Sequence, residues 1–218
     1  MAIPQNWRDF LKSLPSLFFG FFLFAVGIVV NLHTNLGMMP WGVLHVGIAN
    51  VTPLTLGQTS QLVGLVVILI GWLLGFAPGL GTVANMYFVG FFTDQILEWN
   101  VIPVQTEVVG QLGTLFFSII IFGMASFFYL RVRLGAGPRD GLMIGLVKKF
   151  NTPVSYVRGA IEITVVVLGF LLSGPVGLGT VVTALLIGYS VQFFFKLGRF
   201  DSKSEQMNLI QLYKYLKR

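Results

Sequence analysis

The chain has 218 residues, 55% of them hydrophobic and 10% charged, with a mean hydropathy of +0.83 and a net charge of +6. Globular domains carry roughly 25% charged residues, so this is a membrane composition and soluble-enzyme readings lose their support. With no cysteine and only His33 and His45 as imidazoles, disulfide and thiolate chemistry are excluded and neither a metal site nor a cofactor is expected. The basic residues fall in short flanks between apolar stretches, where they orient a membrane protein and do not point to nucleic acid.

Residues 1–15 read as a cytoplasmic amphipathic segment in which Trp7, Phe10 and Leu11 alternate with Arg8 and Lys12, a pattern suited to an anionic leaflet. Crossing a hydrocarbon core about 30 Å thick takes ~20 apolar residues. Stretches near that length predict spans at Ser16–Leu32, Ser60–Phe76 and Thr82–Trp99. An extracytoplasmic connector over 100–111 follows, then spans at Leu112–Leu130, Val157–Leu172 and Thr180–Leu197. The first stretch leads straight into further membrane segments, so it is a span and not a cleaved signal peptide. Two short segments intervene, Pro40–Asn50 and Pro138–Lys149. At 1.5 Å per residue, roughly 11 helical residues cover only ~16 Å, half the bilayer core, so neither spans it. The chain closes on a basic cytoplasmic tail, 198–218, whose Met207, Ile210, Leu212, Tyr213 and Leu216 stand among lysines. That pattern suits an interfacial helix or, alternatively, a partner-docking segment.

The expected fold class is thus an all-α polytopic membrane protein, and one built twice. Adding 98 to a residue number carries Leu17-Phe18-Phe19 onto Leu115-Phe116-Phe117, Pro40 onto Pro138, and Gly79-Leu80-Gly81-Thr82-Val83 onto Gly177-Leu178-Gly179-Thr180-Val181. Apolar helices match by chance at Leu or Phe, but not at such a run with isolated prolines in register. Repeat 1 occupies 16–99 and repeat 2 occupies 112–197. Lysine and arginine collect on cytoplasmic flanks, and they arbitrate between six spans, which inverts the units, and eight, which makes them parallel. With six spans and the N-terminus inside, all 14 Lys and Arg residues lie on the cytoplasmic side or re-enter from it. With eight, Arg131, Arg133 and Arg139 would lie outside. Each unit is expected to hold three spanning helices and one short re-entrant half-helix, inverted in topology, with both termini cytoplasmic.

Irregular backbone at membrane depth survives only where protein or a water-filled cavity satisfies it, which makes the short segments the expected working region. Pro40 and Pro138 pre-set a first helical turn, and Gly37, Gly135 and Gly137 let the chain turn sharply before it. Two half-helix N-termini would then meet near the midplane and favour an anionic group; the alternative is that both segments lie flat at the interface. The copies differ at the tips. Trp41-Gly42 stands where the second copy has Arg139-Asp140, and His45 where it has Met143. Charges at membrane depth face a cavity or one another, and Arg158 and Glu162 share a face of the fifth span. Arg139, Asp140, Arg158, Glu162, Trp41 and His45 are the candidate substrate-binding residues. A locking ion-pair network is the alternative for the four charges, and packing for His45. Asn31 and Asn85 are expected to bridge helices, with pore lining the alternative, and Gly71-x-x-x-Gly75 and Gly141-x-x-x-Gly145 to pack them closely. Asp94 lies toward the outer end of the third span. Thr82 and Thr180 are expected helix caps.

The segments Leu36-Gly37-Met38-Met39-Pro40-Trp41-Gly42-Val43-Leu44-His45 and Leu134-Gly135-Ala136-Gly137-Pro138-Arg139-Asp140-Gly141-Leu142, with Arg158, Glu162 and Gly177-Leu178-Gly179-Thr180, resemble the YczE/YyaS/YitT family of bacterial membrane proteins over residues 15–197. Where that family has an aspartate after the Pro-Trp pair this chain has Gly42. The resemblance implies a multi-pass protein of the bacterial inner membrane and names no substrate. The expected function is a small secondary transporter moving a small polar or anionic solute through a site between the repeats. A channel or facilitator, and a non-transporting assembly or regulatory protein, are the alternatives. No nucleophile–base pair appears, so no enzyme activity or catalytic residue is expected. The expected partners are the lipid bilayer and a small-molecule solute, with proton coupling and a homo-oligomer left open.

Overall fold

The computed structural model describes residues 7–201 and 205–216, and among these it is entirely helical. The helices are α1 (Trp7–Leu32), α2 (Pro40–Val51), α3 (Leu56–Leu73), α4 (Leu80–Trp99), α5 (Val108–Leu130), α6 (Pro138–Phe150), α7 (Val154–Leu171), α8 (Leu178–Leu197) and α9 (Leu209–Leu216). Residues 1–6 of the N-terminal segment, and 202–204 and 217–218 of the tail, lie outside the described residues. Five helices, α1, α3, α5, α7 and α8, are long and apolar enough to cross a membrane. The sixth expected span, α4, matches them with 20 residues but is less apolar, because it holds Asn85, Asp94, Gln95 and Glu98. The half-helices α2 and α6 have 12 and 13 residues.

Helices begin at caps and not where an apolar run begins, which is why α3 and α7 start a turn earlier than hydropathy predicts. Thr55 caps α3 in a reciprocal box, its hydroxyl accepting from Gln58 N at 3.1 Å while Gln58 Oε1 accepts from Thr55 N at 3.1 Å. Pro153 precedes the first turn of α7. The amphipathic N-terminal stretch and the first span form one continuous helix of 26 residues that carries Pro15 within it.

Lipid tails are as apolar as leucine, so helices in a membrane associate through close packing and polar contacts instead of hydrophobic expulsion from water. The central pair, α1 and α5, shows how. Ser16 Oγ donates to Phe128 O at 3.0 Å, and Asn31 Nδ2 donates to Ser118 Oγ at 3.2 Å. Rising numbers on α1 meet falling numbers on α5, so the two run antiparallel. Gly20 lies against Tyr129 and Gly27 against Phe122 so tightly that a Cβ would come within 2.8 Å and 2.9 Å of them. Around this pair α4 packs on α1, α8 on α5, α2 on α7, α6 on α3, and α3 on α4. The outer faces carry exposed Leu65, Leu69, Leu73, Ile163, Leu171 and Leu185, an apolar belt suited to acyl chains. The tail folds back on the bundle: Met207 and Leu212 are buried with Phe10, Leu17 and Tyr129, and Met207 N donates to Arg133 O at 3.0 Å.

Candidate functional site

The approaches to the two half-helices are held crosswise. Gly37 has φ +94° and Gly135 φ +127°, a region that side chains other than hydrogen rarely adopt. Each presses into the Gly-Leu-Gly-Thr turn of the other half of the chain. A Cβ on Gly37 would lie 2.5 Å from Gly177 N, and one on Gly135 would lie 2.7 Å from Gly79 Cα. The clasp is completed by Gly179 N donating to Leu36 O and Gly81 N donating to Leu134 O, both at 2.7 Å. Thr82 and Thr180 do cap, but from the third helical position, each hydroxyl accepting from the glycine N–H that opens its turn at 3.1 Å. Gly137 does not make the turn expected of it: its φ of −59° is ordinary, and it stands at the N-cap of α6.

Asn31, buried in α1, fixes the start of α2, its Oδ1 accepting from Met39 N at 2.9 Å. The bodies of the half-helices then pack on glycines of the opposite span. A Cβ on Gly169 would lie 2.6 Å from Leu44 N, and one on Gly71 would lie 3.3 Å from Leu142 N. Gly141 and Gly145 meet Phe76 and Leu74. Gly75 is different: it sits after α3 at φ +88° with no neighbour against it, so it turns the chain and does not pack.

Between the half-helix tips lies a cavity of about 410 Å³ to which every helix from α1 to α8 contributes. Trp41, His45, Arg139, Asp140, Arg158 and Glu162 all line it, together with Pro40, Gly137 and Pro138. Gly37 and Gly135 stand outside, in the clasps. The Arg139 guanidinium lies over the Trp41 ring, 4.6 Å from its centroid, and makes no hydrogen bond to a described residue. Trp41 and His45 are buried. Asp140 sits in the first turn of α6, turned back toward Gly137, where a carboxylate complements the helix N-terminus. Arg158 Nε pairs with Glu162 Oε1 at 3.0 Å. Its terminal nitrogens make no hydrogen bond to a described residue. Beside the carboxylates of Asp140 and Glu162, two planar guanidinium groups thus line the cavity with donors that make no hydrogen bond to a described residue, a donor set that matches carboxylate or phosphate oxygens.

Asn85 takes the alternative role and lines the cavity, whereas Asn31 bridges helices as expected; as polar residues within spans the two look alike in sequence. Two further lining residues, Thr183 and Gln192, escaped the sequence reading. Thr183 lines the cavity with its hydroxyl buried and making no hydrogen bond to a described residue, unlike Ser126, which donates to Phe122 O at 2.8 Å. Gln192 on α8 also lines it, and its signal was available as a polar residue in an otherwise apolar span.

The two seams beside the cavity differ. α3 is bound to α4: Gly57 and Gly90 are in backbone contact, Asp94 accepts from Gly57 N at 2.7 Å and from Thr55 Oγ, and Gln61 Nε2 donates to Tyr87 O at 2.9 Å. Positions 98 residues on replace Thr55 by Pro153, Gln61 by Gly159 and Asp94 by Gln192. There α7 and α8 barely touch, and Gly159 and Gly188 face open space.

A bundle of apolar, membrane-length helices around a charged cavity defines an integral membrane protein. The chain belongs to a family described as "Family of unknown function (DUF6198)", whose model matches residues 11–196. It is 36% identical over 196 residues to an uncharacterized protein of Haemophilus influenzae, covering 90% of this chain and 89% of that one. It is 30% identical over 179 residues to the uncharacterized membrane protein YczE of Bacillus subtilis, covering 81% and 82%. It is 22% identical over 193 residues to the uncharacterized protein YyaS of the same organism, covering 80% and 88%. The YczE and YyaS resemblance seen in the sequence thus holds. No solved structure matches.

Proposed function

We propose that this protein is a small secondary transporter of the bacterial inner membrane, carrying a small polar or anionic solute through the cavity between two inverted repeats, with both termini cytoplasmic. The observation that carries the reading is the cavity at the half-helix tips, where Arg139 lies over Trp41 with its donors unspent. The inverted duplication has support of its own. α6, α7 and α8 begin at residues 138, 154 and 178, each 98 beyond the starts of α2, α3 and α4 at 40, 56 and 80. α1 and α5 run antiparallel, as inverted units require. Positions related by an approximate two-fold touch each other only on its axis, and two such pairs do so: Phe24 with Phe122, 6.4 Å between ring centroids, and Trp41 with Arg139. Both pairs line the cavity. Half-helices of opposite sense meeting at mid-membrane, between repeats that exchange conformation, are a recurrent design for solute sites.

In this orientation Asp94 and Gly57 close the outer half of the α3–α4 seam, while the matching α7–α8 seam is open on the cytoplasmic half. The test is uptake into proteoliposomes of a panel of small anions (phosphate, sulfate, short carboxylates and glycerol 3-phosphate) with and without an imposed proton gradient. Saturable uptake of at least one, above protein-free vesicles, is expected. No uptake of any of them, in either condition, would favour the non-transporting alternative.

A further inference from the structure

We infer that the gap between α7 and α8 is a lateral portal, through which an amphiphile bearing one anionic head passes that head into the cavity while its acyl chain stays in the bilayer. The inference rests on the cavity being a solute site and narrows the solute to membrane-partitioned anions. α7 and α8 are consecutive helices joined by residues 172–177, and they make almost no contact with each other. Arg158 lies ~20 Å from the joined end of α7, and Gln192 lies ~21 Å from the joined end of α8, at 1.5 Å per residue. Both therefore lie in the halves of their helices remote from the joint.

Both residues line the cavity and both reach the surface, Arg158 with 53% of its side chain exposed. The cavity therefore opens between two membrane-spanning helices. A guanidinium with free donors at the rim of such an opening, and a second one over Trp41 inside, make a path for an anionic head. Gly188 lines the cavity and Gly159 follows Arg158 on α7; an added Cβ at either would meet nothing within 4 Å. Their counterparts on the closed seam, Gln61 and Gly90, are in contact with each other. A cavity of about 410 Å³ has room for about a dozen waters at ~30 Å³ each. That suffices for a charged head but not for a head with a long acyl chain, so the chain must remain outside, which a lateral opening permits.

The test compares 1-palmitoyl lysophosphatidate with glycerol 3-phosphate, the same phosphate head without a tail, as ligands of the full chain in nanodiscs. Gly159 lies outside the cavity lining with open space at its Cβ position, so Gly159→Phe and, independently, Gly159→Trp narrow the gap without displacing a neighbour or filling the site. Each is expected to weaken lysophosphatidate binding at least ~10-fold, equivalent to about 1.4 kcal/mol, and to change glycerol 3-phosphate binding by less than ~2-fold. Arg139→Gln is expected to weaken both ligands. If both substitutions leave lysophosphatidate unaffected, or lower both ligands equally, the portal is overturned while the site stands. Binding of glycerol 3-phosphate without lysophosphatidate also overturns it. If wild type binds neither and Arg139→Gln changes nothing, the site reading and the portal fall together.

Discussion

Arg139→Gln is expected to abolish saturable uptake, with ligand affinity falling about 100-fold or more, while the protein inserts and folds. Each charge-assisted hydrogen bond to a ligand contributes about 1.5–3 kcal/mol, and two donors of one guanidinium on a planar anion reach ~3 kcal/mol, or ~100-fold. Folding is spared because the Arg139 side chain makes no hydrogen bond to a described residue, so its removal orphans no protein acceptor. The lost contact with Trp41 costs about 0.5–2 kcal/mol of stability. Arg139→Lys separates charge from shape: lysine keeps the cation but neither stacks on the indole nor presents a planar fork, so it should recover only a small part of the affinity. Equal activity of the Lys variant and wild type would mean that the charge alone matters. A Gln variant that fails to accumulate in the membrane would make Arg139 part of a structural lock.

Gly37→Val and Gly135→Val are expected to be the most destabilising single substitutions near the site. Each forces a β-branched residue into a left-handed conformation and drives its Cβ into the opposing Gly-Leu-Gly-Thr backbone, at 2.5 Å from Gly177 N and 2.7 Å from Gly79 Cα. Backbone strain and overlap together cost about 3–5 kcal/mol. At 2–4 °C per kcal/mol this lowers the melting temperature by about 10 °C, measurable by fluorescence of the detergent-solubilised protein. Gly113→Ala is the control: that glycine lies inside α5 with nothing near its Cβ position, so alanine should be neutral or stabilising by up to ~1 kcal/mol. Similar melting temperatures for Gly37→Val and Gly113→Ala would show that the clasps do not hold the half-helices.

These two sets of residues also mark what the sequence makes legible. Spans are readable because transfer into lipid is nearly additive along a helix, and Pro40 and Pro138 are readable because proline acts locally. The clasps are half readable. The Gly-Leu-Gly-Thr runs stand out as a repeat, but their partners are Leu36 and Leu134 across the molecule, which no local pattern encodes. Trp41 and Arg139 drew notice because they break the 98-residue register, and their contact follows only once the proposed two-fold axis is considered. Thr183 escaped because a threonine in a span ordinarily bonds its own helix. The open α7–α8 seam escaped because hydropathy measures the apolarity of a helix and is blind to its neighbours, although Pro153 and Gln192 in place of Thr55 and Asp94 were a sign that the lock had been removed.

In the proposed transport cycle, solute reaches one cavity from both faces by alternate opening of the α3–α4 and α7–α8 seams. The native chain has no cysteine, so Ala184→Cys, placed on the cavity wall, can be labelled with a membrane-impermeant thiol reagent from either side of oriented vesicles. Labelling from both faces is expected. Cross-linking Thr55→Cys to Asp94→Cys, which clamps the α3–α4 seam, is expected to remove labelling from the outside and spare it from the cytoplasmic side. Labelling from one face only, or from both faces regardless of the clamp, would contradict this cycle.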